Sequence, residues 1–279
     1  MKLMSFAVGG KTSYGIVSGD GVVDLGKRSK HGSLRSALAA DAIADLMAFE
    51  KAPTDYAIAD VEILTPVPDA EKIICIGVNY KGHILEMGRQ LPEQPSVFLR
   101  LHSSLAAPGQ SIVRPRISSD FDYEGELAVV IGKGGRHIAQ GDAMSHIAGY
   151  TCFNDGSVRD YQKKGSLAIG KNFERTGSCG PWLVTADEIG DPSALQLETR
   201  LNGNRVQHTG VDDLIFDIPA IIAYVSAAIA LAPGDIIATG TPEGVAMGRT
   251  PPNWMRPGDV VEVEISKVGV LRNTVVQEL

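Results

Sequence analysis

The chain has 279 residues, 44% of them hydrophobic and 21% charged, which suits a soluble globular protein built as one large domain or as a small domain joined to a larger one. Its net charge of −7 argues against a nucleic-acid surface, which needs clustered Lys and Arg; an acidic protein that takes an anionic substrate must supply positive charge locally, and a divalent metal ion is one source. Cys75, Cys152 and Cys179 are scattered without metal-site spacing, which excludes a disulfide framework and reads as three small buried apolar residues in a reducing compartment.

Met1 to Gly10 has no continuous apolar core of signal-peptide length, so a cytoplasmic protein is expected. Phe6-Ala7-Val8, Tyr14-Gly15-Ile16-Val17 and Gly21 to Leu25 read as short strands. Residues 33–51 read as a helix with Leu34, Leu38, Ile43, Leu46 and Met47 on a rough apolar face. Thr65-Pro66-Val67-Pro68 is a stiff connector, so residues 1–66 are expected to form a small α+β domain and residues 67–279 a larger one. In the larger part, Lys72 to Val78, Ser96 to Leu101, Glu124 to Gly132, Ile236 to Thr239 and Val260 to Ile265 read as strands. The last two each follow a Pro-Gly-Asp turn. Residues 85–94, polar and short of core residues, read as a surface loop or a cover over a site. Ile218 to Ala232 is the most apolar stretch, but Pro219 and Ser226 break it and it falls short of the ~20 residues a membrane span needs. It reads as a buried helix. With 31 glycines and 15 prolines, the fold class is mixed α/β, mainly β, with many short strands.

The strongest chemical signal is Asp122-Tyr123-Glu124-Gly125-Glu126, which runs directly into an apolar strand. Residues two apart share a strand face, so Glu124 and Glu126 point the same way. Two like charges buried side by side cost several kcal/mol or take up protons. A hard dication such as Mg²⁺, which prefers carboxylate oxygens at about 2.1 Å, removes the conflict. Asp155, at the end of Tyr150 to Asn154 and followed by Gly156, is the natural third ligand. The other reading places Glu124 and Glu126 on a solvated edge, paired with Lys or Arg.

Ile76 to Met87 reads as a strand that turns into a short helix. Positions three apart on a helix are neighbours, so Glu86 can accept a hydrogen bond from His83 and orient its imidazole for proton transfer near neutral pH. The alternative is a surface His beside a surface Glu.

Seven strings in this order resemble the fumarylacetoacetate hydrolase family over about residues 66–279. They are Gly77-Val78-Asn79-Tyr80 with His83 and Glu86, Asp122 to Leu127, Gly149-Tyr150-Thr151 with Asn154-Asp155, Arg159-Asp160-Tyr161-Gln162, Gly170-Lys171-Asn172-Phe173, Gly180-Pro181-Trp182, and Thr239 to Val245. The resemblance implies a mixed β-sandwich roll with a smaller N-terminal domain, usually dimeric. It implies Mg²⁺, with Mn²⁺ or Ca²⁺ as substitutes, on Glu124, Glu126 and Asp155. It makes His83 and Glu86 a water-activating dyad and places Lys171 as a catalytic cation. Tyr80, Arg100, Gln162 and Thr241 become substrate-binding candidates. Val78 and Arg100-Leu101 depart from the family's usual residues, which leaves the substrate's identity open.

The reaction this implies is hydrolysis of a carbon–carbon bond in an acylpyruvate-type 2-oxo acid, giving pyruvate and a carboxylic acid, as in aromatic catabolism. Decarboxylation of oxaloacetate, hydration of a 2-oxo-enoate and isomerisation of a dienoate fit the same pocket. A non-catalytic binding protein on the same fold is the rival from another class. The expected partners are a small 2-oxo acid and a second copy of the chain, with no nucleic acid and no membrane.

Overall fold

The strand Gly125–Ile131 lies at the centre of the molecule. Every one of its residues is buried. Leu127, Val129 and Ile131 pack into one apolar cluster, and Ala128 and Val130 into another on the opposite face. A strand covered on both sides carries a continuous apolar run, which is what the sequence shows here. It pairs antiparallel with Ile147–Asn154 on one side and with Ile236–Ala238 on the other. The computed structural model describes all residues except Met87 and Arg89. Those two belong to the strand-to-helix stretch and to the cover expected over residues 85–94, which to that extent lie outside the described residues.

These strands belong to a 12-stranded mixed sheet that ends at Ile73–Gly77 and the edge strand Ser96–Arg100. Ile236–Ala238 runs parallel to Ile73–Gly77, while most other pairs are antiparallel. A five-stranded sheet, containing Gln196–Leu201, Asn204–Gly210, Val260–Ile265 and Gly269–Gln277, covers one face. Its Leu197, Val263, Ile265 and Leu271 meet Leu127, Val129, Tyr150 and Cys152 of the large sheet. The helix Ile218–Ala228 seals the same cluster with Ile218, Ile221, Ile222 and Val225, spaced i, i+3, i+4, i+7. The Asp217 side chain caps it by accepting a hydrogen bond from the Ala220 N–H at 2.8 Å. The fold is mixed α/β and mainly β.

The N-terminal strands Lys2–Val8, Lys11–Ser18 and Gly21–Asp24 extend the large sheet, because Lys2–Val8 pairs antiparallel with Gly177–Thr185. The single helix predicted over 33–51 is two, Leu34–Ala39 and Ile43–Leu46, followed by a 3-10 turn at Met47–Phe49. Asp41 breaks it with φ 52, and the Ala42 N–H closes back on Ala37 O at 3.0 Å, the ending of a Schellman motif. Apolar spacing continues across this break and so does not reveal it. Both Pro-Gly-Asp segments form turns with the glycine at positive φ, 87 at Gly234 and 95 at Gly258, and a closing bond of 3.0 Å each, the geometry of type II turns. Among the described residues no helix is long and apolar enough to cross a membrane.

Candidate active site

The three acids singled out in the sequence converge. One carboxylate oxygen each from Glu124, Glu126 and Asp155 lies within 4.8 Å of the others, and all three residues are buried. Strand register brings them together. Gly125 faces Asn154, the Asp155 N–H donates to Glu124 O at 2.8 Å, and the Glu124 N–H donates to Asn154 Oδ1 at 3.1 Å. Glycine is required between the two glutamates, since a Cβ at Gly125 would stand 2.0 Å from Thr199 Oγ1. The Gly125 carbonyl accepts from Thr241 Oγ1 at 2.9 Å, and Thr241 in turn accepts from Gln207 Nε2 at 2.9 Å.

The charges around the acids are unevenly shared. Glu124 accepts from both Arg159 and Lys171. Asp155 accepts from Lys171 and, at 2.6 Å, from Arg100. Asp122 holds Arg159 from behind at 2.8 Å. Among the described residues Glu126 accepts only from the Gly240 N–H, at 2.8 Å. Burial raises the Glu124 carboxyl, but Arg159 and Lys171 outweigh it and hold the group at about 2. Burial likewise pushes Glu126 well above the usual carboxylate range, and the negative charges of Asp155 and Glu124 push the same way. Lys171 stays above its ordinary value because Asp155 and Glu124 outweigh the effect of burial.

Three hard oxygen donors with one uncompensated buried carboxylate among them fit a divalent cation, which would balance Glu126 and leave coordination positions for a ligand. Of the alternative for Glu124 and Glu126, the solvated edge does not hold, because both side chains are buried, while the pairing with Lys or Arg holds for Glu124, which meets Arg159 and Lys171.

His83 stands on the helix Lys81–Glu86 that follows the strand Ile73–Gly77. Its Nδ1 lies 3.3 Å from Glu86 Oε2, and Glu86 also accepts from the Gly244 N–H at 3.1 Å. Burial raises the Glu86 carboxyl, and the bonds from His83 and Gly244 more than reverse this. The turn between strand and helix is strained: Val78 sits at φ 56, rare for a β-branched residue. Asn79 fixes it by donating to Thr239 O at 2.8 Å and Phe216 O at 3.0 Å and accepting from the Phe216 N–H at 2.9 Å. Strain of this kind, of order 1–3 kcal/mol, persists where the surroundings over-determine it.

The three acids form part of the wall of a cavity of about 460 Å³ that His83, Arg159, Gln162, Lys171 and Thr241 also line. Its other walls include Val78, Phe98, Lys163, Leu167 and Met247. Of the residues expected at the substrate, Tyr80 and Arg100 are not among the lining residues. Tyr80 is fully buried in the apolar cluster under the helix Ile218–Ala228, and its hydroxyl finds no hydrogen-bond partner among the described residues. Arg100 lies behind Asp155, bonded also to Ser104, Thr176 and Gly156 O, because a buried guanidinium needs several acceptors and finds them in the protein. Both are corrections to the substrate-binding expectation: Arg100 positions Asp155, and Tyr80 packs. Arg159 had been assigned no role from the sequence. Helical spacing was the available signal, since Arg159, Gln162 and Lys163 stand at i, i+3 and i+4 on the helix Arg159–Lys164.

Comparison with known proteins adds four findings. The family model described as Fumarylacetoacetate (FAA) hydrolase C-terminal matches residues 72–276. The oxaloacetate tautomerase YisK of Bacillus subtilis is 43% identical over 225 residues, 79% of this chain and 75% of that protein. The human mitochondrial oxaloacetate tautomerase FAHD2A is 41% identical over 221 residues, 78% of this chain and 70% of its own length. Among solved structures, maleylpyruvate hydrolase from Sphingobium sp. SYK-6, in complex with manganese(II) and pyruvate, covers 100% of both chains at 31% identity with a TM-score of 0.84.

Proposed function

The chain belongs to the fumarylacetoacetate hydrolase family, and on that premise we propose that it is a Mg²⁺-dependent tautomerase interconverting the enol and keto forms of oxaloacetate. The observation that carries this reading is the buried acid triad, with Glu126 uncompensated, in the same cavity as an oriented histidine. The likeness to oxaloacetate tautomerases over more than three quarters of the chain supports oxaloacetate as the substrate.

Glu124, Glu126 and Asp155 would hold a divalent ion, which would supply Lewis-acid charge that favours the enolate of a 2-oxo acid. The chain's own residues do the rest. Glu86 engages His83 Nδ1 and leaves Nε2 to exchange protons. Nε2 takes a proton from C3, the C3–H electron pair becomes the C2–C3 double bond, and the proton is returned at the C2 oxygen. The reverse path gives the keto form. Lys171 and Arg159 hold Glu124 ionised and add positive charge beside the reacting end. The apolar wall of Val78, Phe98, Leu167 and Met247 limits water at C3.

Hydrolysis of an acylpyruvate is the second reading, favoured by the same His83–Glu86 pair and by the likeness to maleylpyruvate hydrolase. One experiment separates the two. The purified protein is given enol-oxaloacetate and, separately, acylpyruvates, with Mg²⁺ or with a chelator. Loss of enol absorbance and release of pyruvate are then followed. The proposal expects Mg²⁺-dependent acceleration of enol loss from oxaloacetate, a fall of about 100-fold or more in His83→Ala, and no pyruvate release from acylpyruvates above background. Rapid pyruvate release without tautomerisation would replace this reading by hydrolysis. A two-subunit assembly in the cytoplasm belongs to the same proposal, and light scattering of the purified protein tests the assembly.

A further inference from the structure

We propose that Lys163 is the specificity-determining residue that receives the distal carboxylate of a 2-oxo diacid. The inference rests on reading the cavity as a 2-oxo acid site and names the group that distinguishes diacids from monoacids.

Asp122, Glu124, Glu126 and Asp155 form one buried cluster with Arg100, Arg159 and Lys171, four formal negative charges against three positive. A dication turns this excess of one negative into one positive. A monoanionic 2-oxo acid then neutralises the site by itself. A dianionic one leaves a negative charge, and that charge lies at the end of the substrate away from the acids. One further cation on the cavity wall, outside this cluster, therefore suits a diacid and is superfluous for a monoacid.

Lys163 is that cation. It lines the same cavity as the triad, and Arg159, Gln162 and Lys163 share one stripe of the helix Arg159–Lys164. Arg159, at one end of the stripe, is committed to Asp122 and Glu124. Gln162 gives its Oε1 to Arg159 Nη1 at 2.9 Å, which leaves its amide Nε2 as a donor. Lys163 is exposed where it lines the cavity and makes no ion pair among the described residues, so its ammonium is available to a ligand. Its neighbour Lys164 carries the same charge but does not line the cavity, and it serves as an internal control for bulk electrostatics.

The test uses the Mg²⁺-loaded full chain and two unreactive ligands with the same 2-hydroxy acid end, malate with a distal carboxylate and lactate without one. Calorimetric titration gives the ratio of their affinities. Lys163→Ala is expected to lower the malate-to-lactate ratio about 10-fold, the worth of one charge-assisted hydrogen bond. Lys163→Arg restores most of it, and Lys163→Glu inverts the preference. Lys164→Ala leaves the ratio unchanged. An unchanged ratio in Lys163→Ala, or an equal fall in Lys164→Ala, overturns the assignment. Thermal melting confirms that each variant is folded. The two readings fail separately. If the wild type tautomerises oxaloacetate but Lys163→Ala keeps its ratio, the reaction stands and the subsite falls. If the wild type is inactive on oxaloacetate yet prefers malate through Lys163, the subsite stands and the reaction falls.

Discussion

Glu124-Gly125-Glu126, at the start of the strand Gly125–Ile131, and Glu262-Val263-Glu264, inside the strand Val260–Ile265, both set two carboxylates two residues apart, yet they occupy opposite environments. Around the second pair the strand Val260–Ile265 alternates strictly, with Val261, Val263 and Ile265 buried and the intervening residues only partly so. Arg200, across the sheet, donates to Glu264 at 2.7 Å, Glu198 at 2.8 Å and Glu262 at 3.2 Å. Glu264 keeps 44% of its side-chain surface, whereas Glu126 is 1% exposed. The spacing is the same; the strand that follows differs. Where charge alternates with Val and Ile, the acids face water and share an arginine. Where the strand is apolar on both faces, the acids have no water to face, and their charge must be met from within.

The sharpest way to break this contrast is to remove one acid from each pair. Glu126→Ala is expected to lower activity by about 1000-fold or more, since a metal ligand should cost more than the 10–100-fold typical of residues that merely support one. It should also abolish the stabilisation that metal confers, about 2.7 kcal/mol at a concentration of 100 Kd, read as a shift in Tm with and without chelator. Glu262→Ala should leave both readouts within about twofold of the wild type, as a surface substitution does. Equal losses in the two variants would show that burial does not separate the pairs.

How much of this was legible in the sequence follows from the same contrast. The acid triad could be read because its three members break the apolar pattern of two strands that pair in register, Glu124 and Glu126 before Leu127 to Ile131 and Asp155 after Tyr150 to Asn154. The strand Val260–Ile265 and the helix starting at Ile218 were legible from periodicity for the same reason. The hairpin Gln196–Leu201 with Asn204–Gly210 was not, because its exposed face carries Glu, Arg and Asn that resemble a loop. Arg100 was misread because sequence records its charge but not the direction it takes from the edge strand, and that direction is toward Asp155. Val78 gives no linear sign of its positive φ; only the clamp by Asn79 on Phe216 and Thr239, far along the chain, imposes it.

The smaller effects concern the cations. Arg159→Met and Arg200→Met are the same substitution at two arginines that each hold more than one carboxylate. At Arg159 the paired side chains are almost wholly buried, so Asp122 and Glu124 lose their shared counter-charge where little solvent replaces it. Breaking a buried pair by removing one partner costs about 3–5 kcal/mol, and urea unfolding of the chelator-treated protein should show a loss of that order. At Arg200 the three glutamates remain partly solvated, and exposed pairs contribute about 0–1 kcal/mol. Arg200→Met should therefore lower stability by less than about 1 kcal/mol. That loss should shrink further as salt screens the repulsion among Glu198, Glu262 and Glu264. Activity should not change, because the ladder lies on the five-stranded sheet and contributes no residue to the cavity wall. A loss at Arg200 as large as at Arg159, and insensitive to salt, would mean that Arg200 holds the two strands together through a network that solvent does not reach.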